Sequence, residues 1–102
     1  MRTRAFLGGV ALLAIVSASG MAFAYTGQEL APKAKITLEQ ARTIATKARP
    51  GKITDEELEK ESGGSGLRYS FDVKSGNVTY EVGVDAISGK LLENGPEGAH
   101  PD

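Results

Sequence analysis

The spacing of apolar residues takes three forms along the chain. Ala5 to Val16 is a continuous apolar run, Leu38 to Ala48 carries apolar residues at helical intervals, and from Leu67 onward apolar and polar residues alternate. A period of 3.6 marks one face of a helix, and a period of 2 marks a strand with one buried face. The middle segment therefore predicts an amphipathic helix. Leu38, Ala41, Ile44, Ala45 and Ala48 form its apolar stripe, and Glu39, Arg42, Thr43, Thr46 and Lys47 lie mainly on the other side. Thr37 stands where an N-cap belongs, Gln40 three residues later completes a capping box, and Ile36 with Ala41 takes the staple positions. Pro50 and Gly51 end the helix.

Alternation is clearest in Leu67, Tyr69, Phe71 and Val73, which are separated by Arg68, Ser70, Asp72 and Lys74. Lys74-Ser75-Gly76-Asn77 supplies turn chemistry, and Val78, Tyr80, Val82, Val84 and Ala86 alternate along a second strand, predicting an antiparallel hairpin. Ser88-Gly89 turns the chain again, Lys90 to Glu93 makes a short further strand, and residues 95–102 read as a disordered tail. Thr54 to Ser62 supports two readings. Thr54 with Glu57 makes a second capping box and favours a short helix, whereas a strand through Ile53 and Leu58, which have opposite parity, must bulge or present them to different faces. Ser62-Gly63-Gly64-Ser65-Gly66 is a flexible link in either case.

The opening segment is an address. Arg2 and Arg4 precede the apolar run, and the small-residue stretch ending Ala22-Phe23-Ala24 predicts a secretory signal cleaved after Ala24. An uncleaved membrane anchor needs about 20 predominantly apolar residues, and Ser17, Ser19 and Gly20 interrupt that length. Residues 25–35, with Gly27 and Pro32 and no sustained period, read as a linker. The expected organisation is thus a signal at 1–24, a linker at 25–35, a folded domain at 36–94 and a tail at 95–102.

Composition narrows the chemistry. The 102 residues include no Cys, which excludes disulfides, thiol nucleophiles and Cys-ligated metal. Lys+Arg number 12 against 13 Asp+Glu, and cleavage of the signal would remove two arginines and no acid. A mildly acidic product lacks the basic excess that nucleic-acid binding requires, and no insertion of the mature chain into a membrane is expected. The one histidine, His100, lies beside Pro101 in the tail, so neither a buried triad nor a multi-His zinc site can be assembled.

Asp55, Glu56, Glu57, Glu59 and Glu61 form an acidic cluster that could attract a cation. They lack the ligand spacing of a calcium loop, and we read them as a solvated edge that discourages sheet-to-sheet aggregation. Gly63-Gly64-Ser65-Gly66 has no following Lys and no helix start, so it is a loop rather than a phosphate cradle. Asp85, with no second acid, base or metal set at a definable spacing, reads as a turn-forming residue whose carboxylate accepts backbone bonds. Tyr69, Phe71 and Tyr80 fall on core-facing positions, which disfavours a base-stacking platform. These readings leave no catalytic, cofactor-binding or metal residue to nominate.

The capped helix Ile36-Thr37-Leu38-Glu39-Gln40-Ala41, the segment Leu67 to Val73, and above all Asp85-Ala86-Ile87-Ser88-Gly89-Lys90-Leu91-Leu92 resemble the PepSY domain. The last stretch is similar to that family's closing Asp-Ala-x-Thr-Gly-x-Val-Leu, with Ser88 for Thr and Leu91 for Val. PepSY domains occur in propeptides of thermolysin-like metallopeptidases and in small exported or membrane proteins. The resemblance implies that Lys52 to Glu61 is a strand. It also implies an α+β fold of PepSY/cystatin-like kind: one amphipathic helix packed on a small antiparallel sheet of three to four strands, in α-β-β-β order. The function it implies is that of an exported, non-enzymatic module, periplasmic or extracellular, that binds and inhibits a secreted or envelope peptidase without a cofactor. The alternative is a self-associating structural or sensory envelope module, a homo-oligomer that gains burial a small domain lacks.

Overall fold

The computed structural model describes residues 24–98. The expected signal, apart from Ala24, and His100 lie outside the described residues. A 3-10 turn spans Gln28–Lys33, helix α1 spans Leu38–Ala48, and strands β1 (Lys52–Lys60), β2 (Leu67–Ser75), β3 (Val78–Asp85) and β4 (Leu91–Pro96) follow. The strands form one antiparallel sheet in the order β1-β2-β3-β4. This is an α+β fold with four strands after the helix.

Helix α1 begins as its sequence dictates. Gln40 N–H donates to Thr37 Oγ1 at 3.0 Å while Thr37 N–H donates to Gln40 Oε1 at 2.8 Å, which satisfies two of the orphan donors of the first turn. At the other end Arg49 N–H reaches Ala45 O at 2.8 Å. The helix lies across β2, β3 and β4 and presents Ala41 and Ala45, both fully buried, to the sheet. Their counterparts are Tyr69, Phe71 and Val73 of β2, Val82 and Val84 of β3, and Leu58 of β1. Leu38 and Ile44 are half-buried and pack around that centre. Tyr69 and Phe71 stack with centroids 6.5 Å apart, and Tyr69 spends its hydroxyl on Ile36 O at 2.8 Å, so a large ring is buried without an orphan donor.

The ambiguous segment is strand β1, as the resemblance implied. A bulge between Ile53 and Asp55 changes the register, so that Ile53 opposes Val73 while Leu58 opposes Tyr69, and both apolar side chains reach the helix side despite their opposite parity. The local capping box loses because a full ladder to β2 satisfies more backbone than one short helical turn.

Three expectations change in detail. The stretch expected as a linker is attached to the sheet. Leu58 N–H donates to Thr26 O at 2.9 Å, Lys35 and Ile36 N–H both reach Ala86 O, and Tyr25, Leu30, Ala31 and Ala34 pack on the core where α1 does not extend over β1. Its apolar residues follow neither period because a 3-10 turn and extended pieces alternate within it. Strand β4 runs to Pro96, beyond the expected Lys90–Glu93. Asn94 accepts from Arg49 Nε at 3.0 Å, and Glu97 N–H donates to Thr79 O at 2.8 Å, so tertiary partners hold residues whose local signals mark a chain end. Tyr80, expected at the core, is half-buried, with the Arg49 guanidinium 3.8 Å above its ring.

Because Ala41 and Ala45 set how closely α1 approaches the sheet, enlarging either should strain the contact. Ala45→Leu is expected to cost about 1–3 kcal/mol, read as a lower urea midpoint at unchanged slope.

Candidate functional site

Alternation along four strands sends one set of side chains to the helix and the other to an uncovered face. The register places Asp55 opposite Asp72 and Asp72 opposite Glu81, and Glu57 lies level with Ser70, Gly83 and Glu93. A concavity on that face is lined by Asp55, Glu57, Glu59, Asp72, Glu81 and Glu93, among others. The acidic cluster of residues 55–61 is therefore divided by the sheet. Glu56 turns to the helix side, where Arg42 grips it through Nε at 2.8 Å and Nη2 at 2.7 Å, and Asp55, Glu57 and Glu59 join the open face.

Like charges directly opposite one another are destabilising. Burial, Glu97 and Asp55 raise the Asp72 carboxyl above its ordinary value. Burial together with Glu93, Asp72 and Glu97 does the same to Glu81. Glu59 is raised chiefly by burial and by its neighbour Glu57, against the Ser70 hydroxyl, which donates to it at 2.7 Å. Asp72, Glu81 and Glu97 each bring one carboxylate oxygen within 4.8 Å of the others, a set able to share a cation. Sequence reasoning missed this convergence, since the three residues come from different segments and only the cross-strand register unites them.

Arg68 is a buried cation among the acids of the open face. Its Nη1 lies 3.3 Å from Glu93 Oε1 while Nη2 donates to Ser62 O at 3.1 Å. Its stem crosses Gly83, where a Cβ would crowd it.

Asp85 closes the same end of the sheet. It is 1% exposed, and its two oxygens accept from Ser65 N–H at 2.6 Å, Ile87 N–H at 2.8 Å and Ser88 N–H at 3.0 Å. Gly89, at φ 79°, completes the turn by donating to Asp85 O at 2.9 Å. Burial acts to raise the Asp85 carboxyl, but the backbone donors outweigh it and hold the group well below the usual carboxylate range. Both oxygens are committed to the backbone, so Asp85 ties the Ser62–Gly66 loop to the β3–β4 turn. Ser65 thus belongs to an ordered contact inside the segment read as a flexible link.

A second groove follows the outer edge of β1, between Tyr25 and Thr26 on one side and Arg42, Ile53 and Asp55 on the other. Thr26 forms a single parallel bridge with Glu57 there. Its signal in the sequence is Gly27, at φ 87°, whose missing Cβ makes room for the Leu58 carbonyl.

A family model described as PepSY, peptidase propeptide and YPEB domain, matches residues 35–94. No curated protein and no solved structure matches the chain. The matched span takes in α1, all of β1, β2 and β3, and most of β4.

The two kinds of carboxylate predict opposite responses. Asp85 has a lowered folded-state value, so its contribution is present above the unfolded value of about 4 and fades as pH falls below it. Asp85→Ala is expected to cost about 3 kcal/mol or more at pH 7, with the gap to the parent narrowing at pH 3 in urea unfolding. Asp72 and Glu81 have raised values, so they disfavour the fold when ionised and cease to do so on protonation. Asp72→Asn is expected to stabilise at pH 7 by about 0.2–1 kcal/mol, and this gain should vanish in mild acid.

Proposed function

The chain belongs to the PepSY family, and from that membership we propose that it is an exported, non-enzymatic module that binds a peptidase outside the cytoplasm and restrains it. The single observation carrying this reading is the match over residues 35–94, which coincides with the sheet and its helix. PepSY is a propeptide- and inhibitor-type domain, generally without catalysis, and is typically extracellular or periplasmic. Among the described residues no helix is long and apolar enough to cross a membrane. The Arg2-Arg4 start, the apolar run to Val16 and the Ala22-Phe23-Ala24 ending support export with cleavage after Ala24.

The chemistry of the carboxylates favours binding over turnover. The buried Asp85 is consumed by backbone donors, and the carboxylates of the open face stand on a broad sheet surface. Such a domain has two surfaces to offer a peptidase: the uncovered face, and an edge that can extend its hydrogen bonding into another chain. Self-association gains no support from β1, whose centre, Asp55 to Glu59, would meet the same acids in a paired copy.

The chain, incubated with each peptidase secreted by the producing cell, should form a complex with at least one and slow its hydrolysis of a peptide substrate. Absence of both effects across the whole set rejects the proposal, and mass spectrometry of the exported chain checks the expected N-terminus at Tyr25.

A further inference from the structure

The outer edge of β1 holds backbone groups that the sheet does not use. An edge strand turns the N–H and C=O of every second residue away from its neighbour. Leu58 identifies the outward set, since its N–H reaches Thr26 O at 2.9 Å, and Glu56 and Lys60 share its parity. The occupant bonds the edge sparsely. Thr26 makes one isolated parallel bridge, the 3-10 turn that follows packs against β1, and the groove on the other side of Thr26 runs beside Ile53 and Asp55.

We propose that this edge accepts an extended segment of a partner protein as a fifth strand, that the segment alternates basic with apolar residues, and that Tyr25–Gly27 is a placeholder it displaces. The proposal rests on the peptidase-binding reading only in naming the surface which that reading leaves open.

Charge selects the occupant. Asp55, Glu57 and Glu59 line the open-face side of β1, and the two ion pairs among the described residues, Arg42–Glu56 and Arg68–Glu93, involve none of them. A strand laid along β1 sets every second side chain beside these carboxylates, where Lys or Arg forms a favourable cross-strand pair. The intervening side chains fall on the helix side, over the groove that Ile53 lines together with the Arg42–Glu56 pair, in which the acid already has its cation, so uncharged apolar residues suit it. A second copy of β1 is the wrong occupant, because it would bring acids against acids.

Geometry explains why the placeholder can leave. It seats only because residue 27 is glycine: φ is 87°, and a Cβ would overlap the Leu58 carbonyl. Immediately after it the 3-10 turn begins, and the anchors at Lys35 and Ile36, both bonded to Ala86 O, lie at the far end of the segment. Tyr25–Gly27 can therefore detach by giving up the Tyr25 contact with the core and two turn bonds, Gln28 N–H to Tyr25 O and Leu30 N–H to Gly27 O, while Leu30 and Ala34 keep their places on the core.

The test uses the chain as it accumulates outside the cell, titrated with a capped hexapeptide alternating lysine and valine and with its glutamate-valine counterpart, and followed by amide NMR. The lysine peptide should bind, shift the Glu56 to Lys60 amides and release Thr26, and the glutamate peptide should not. Asp55→Lys with Glu57→Lys should weaken the lysine peptide by roughly tenfold, the scale of two cross-strand pairs turned from attraction to repulsion. Gly27→Ala should tighten it. If Gly27→Ala fails to fold by circular dichroism, the surface charge reversal carries the test alone. Equal binding of both peptides, binding of neither, shifts confined to β4, or weakening in a folded Gly27→Ala chain would overturn the proposal. The same charge-reversed chain, assayed on a peptidase that the parent restrains, separates the two readings. Undiminished restraint defeats the edge proposal alone, whereas lysine-peptide binding at β1 with no peptidase restrained defeats the functional reading alone.

Discussion

The contact of Ala41 and Ala45 with the apolar side of the sheet is the constraint from which the remaining architecture follows. Two methyl side chains let the helix backbone come close to Phe71, Val82 and their neighbours, and the aromatic pair on β2 fills the space that larger helix residues would have taken. The backbone of the single short helix lies over β2, β3 and β4, and it reaches β1 through the Arg42 side chain. The remaining apolar area over β1 must be covered by something else, and the segment from Tyr25 to Ala34 covers it. The leader is thus required by the width of the sheet, and its attachment to the β1 edge follows from its path.

Committing one face of every strand to this contact forces the polar residues onto the other. Strand period leaves no choice in the matter, since Asp72 is polar between Phe71 and Val73 just as Glu81 is between Tyr80 and Val82. What the period does not require is that the polar residues be acids in register. Asp55, Asp72 and Glu81 stand in a row across three strands, and the fold tolerates their repulsion while Arg68 and the bonds to Asp85 secure the end of the sheet near the Ser62–Gly66 loop. Real proteins break such local rules at functional or strained sites.

Legibility in the sequence tracked how local each cause was. The helix was readable because Thr37, Gln40 and the Leu38–Ala48 stripe all act within a few residues, and the β2–β3 hairpin because alternation flanks an evident turn. Asp85 could be read as a turn former, although its bond to Ser65, twenty positions earlier, could not. Residues 54–62 carried helix signals that only pairing with β2 overrides. The Ile53–Leu58 parity problem did announce the bulge that resolves it. Gly27 looked like a linker glycine because its reason lies across space at Leu58, and the Asp72, Glu81 and Glu97 convergence was invisible before the register was known.

An edge strand that must stay available to a partner faces a conflict, because the same unpaired groups invite identical chains to stack. Burying the edge under a permanent neighbour would remove both hazards and uses together. β1 solves this with two devices of different reach. Its acids act at long range and discriminate by sign, repelling another β1 while leaving a basic strand free to approach. Thr26 acts at contact range, occupying the Leu58 donor with one bond so that the edge is not left bare in the absence of a partner. The acids lie outside the core, so sequence changes at Asp55 or Glu57 can retune which chains are admitted while Ala41, Ala45 and Phe71 continue to hold the fold.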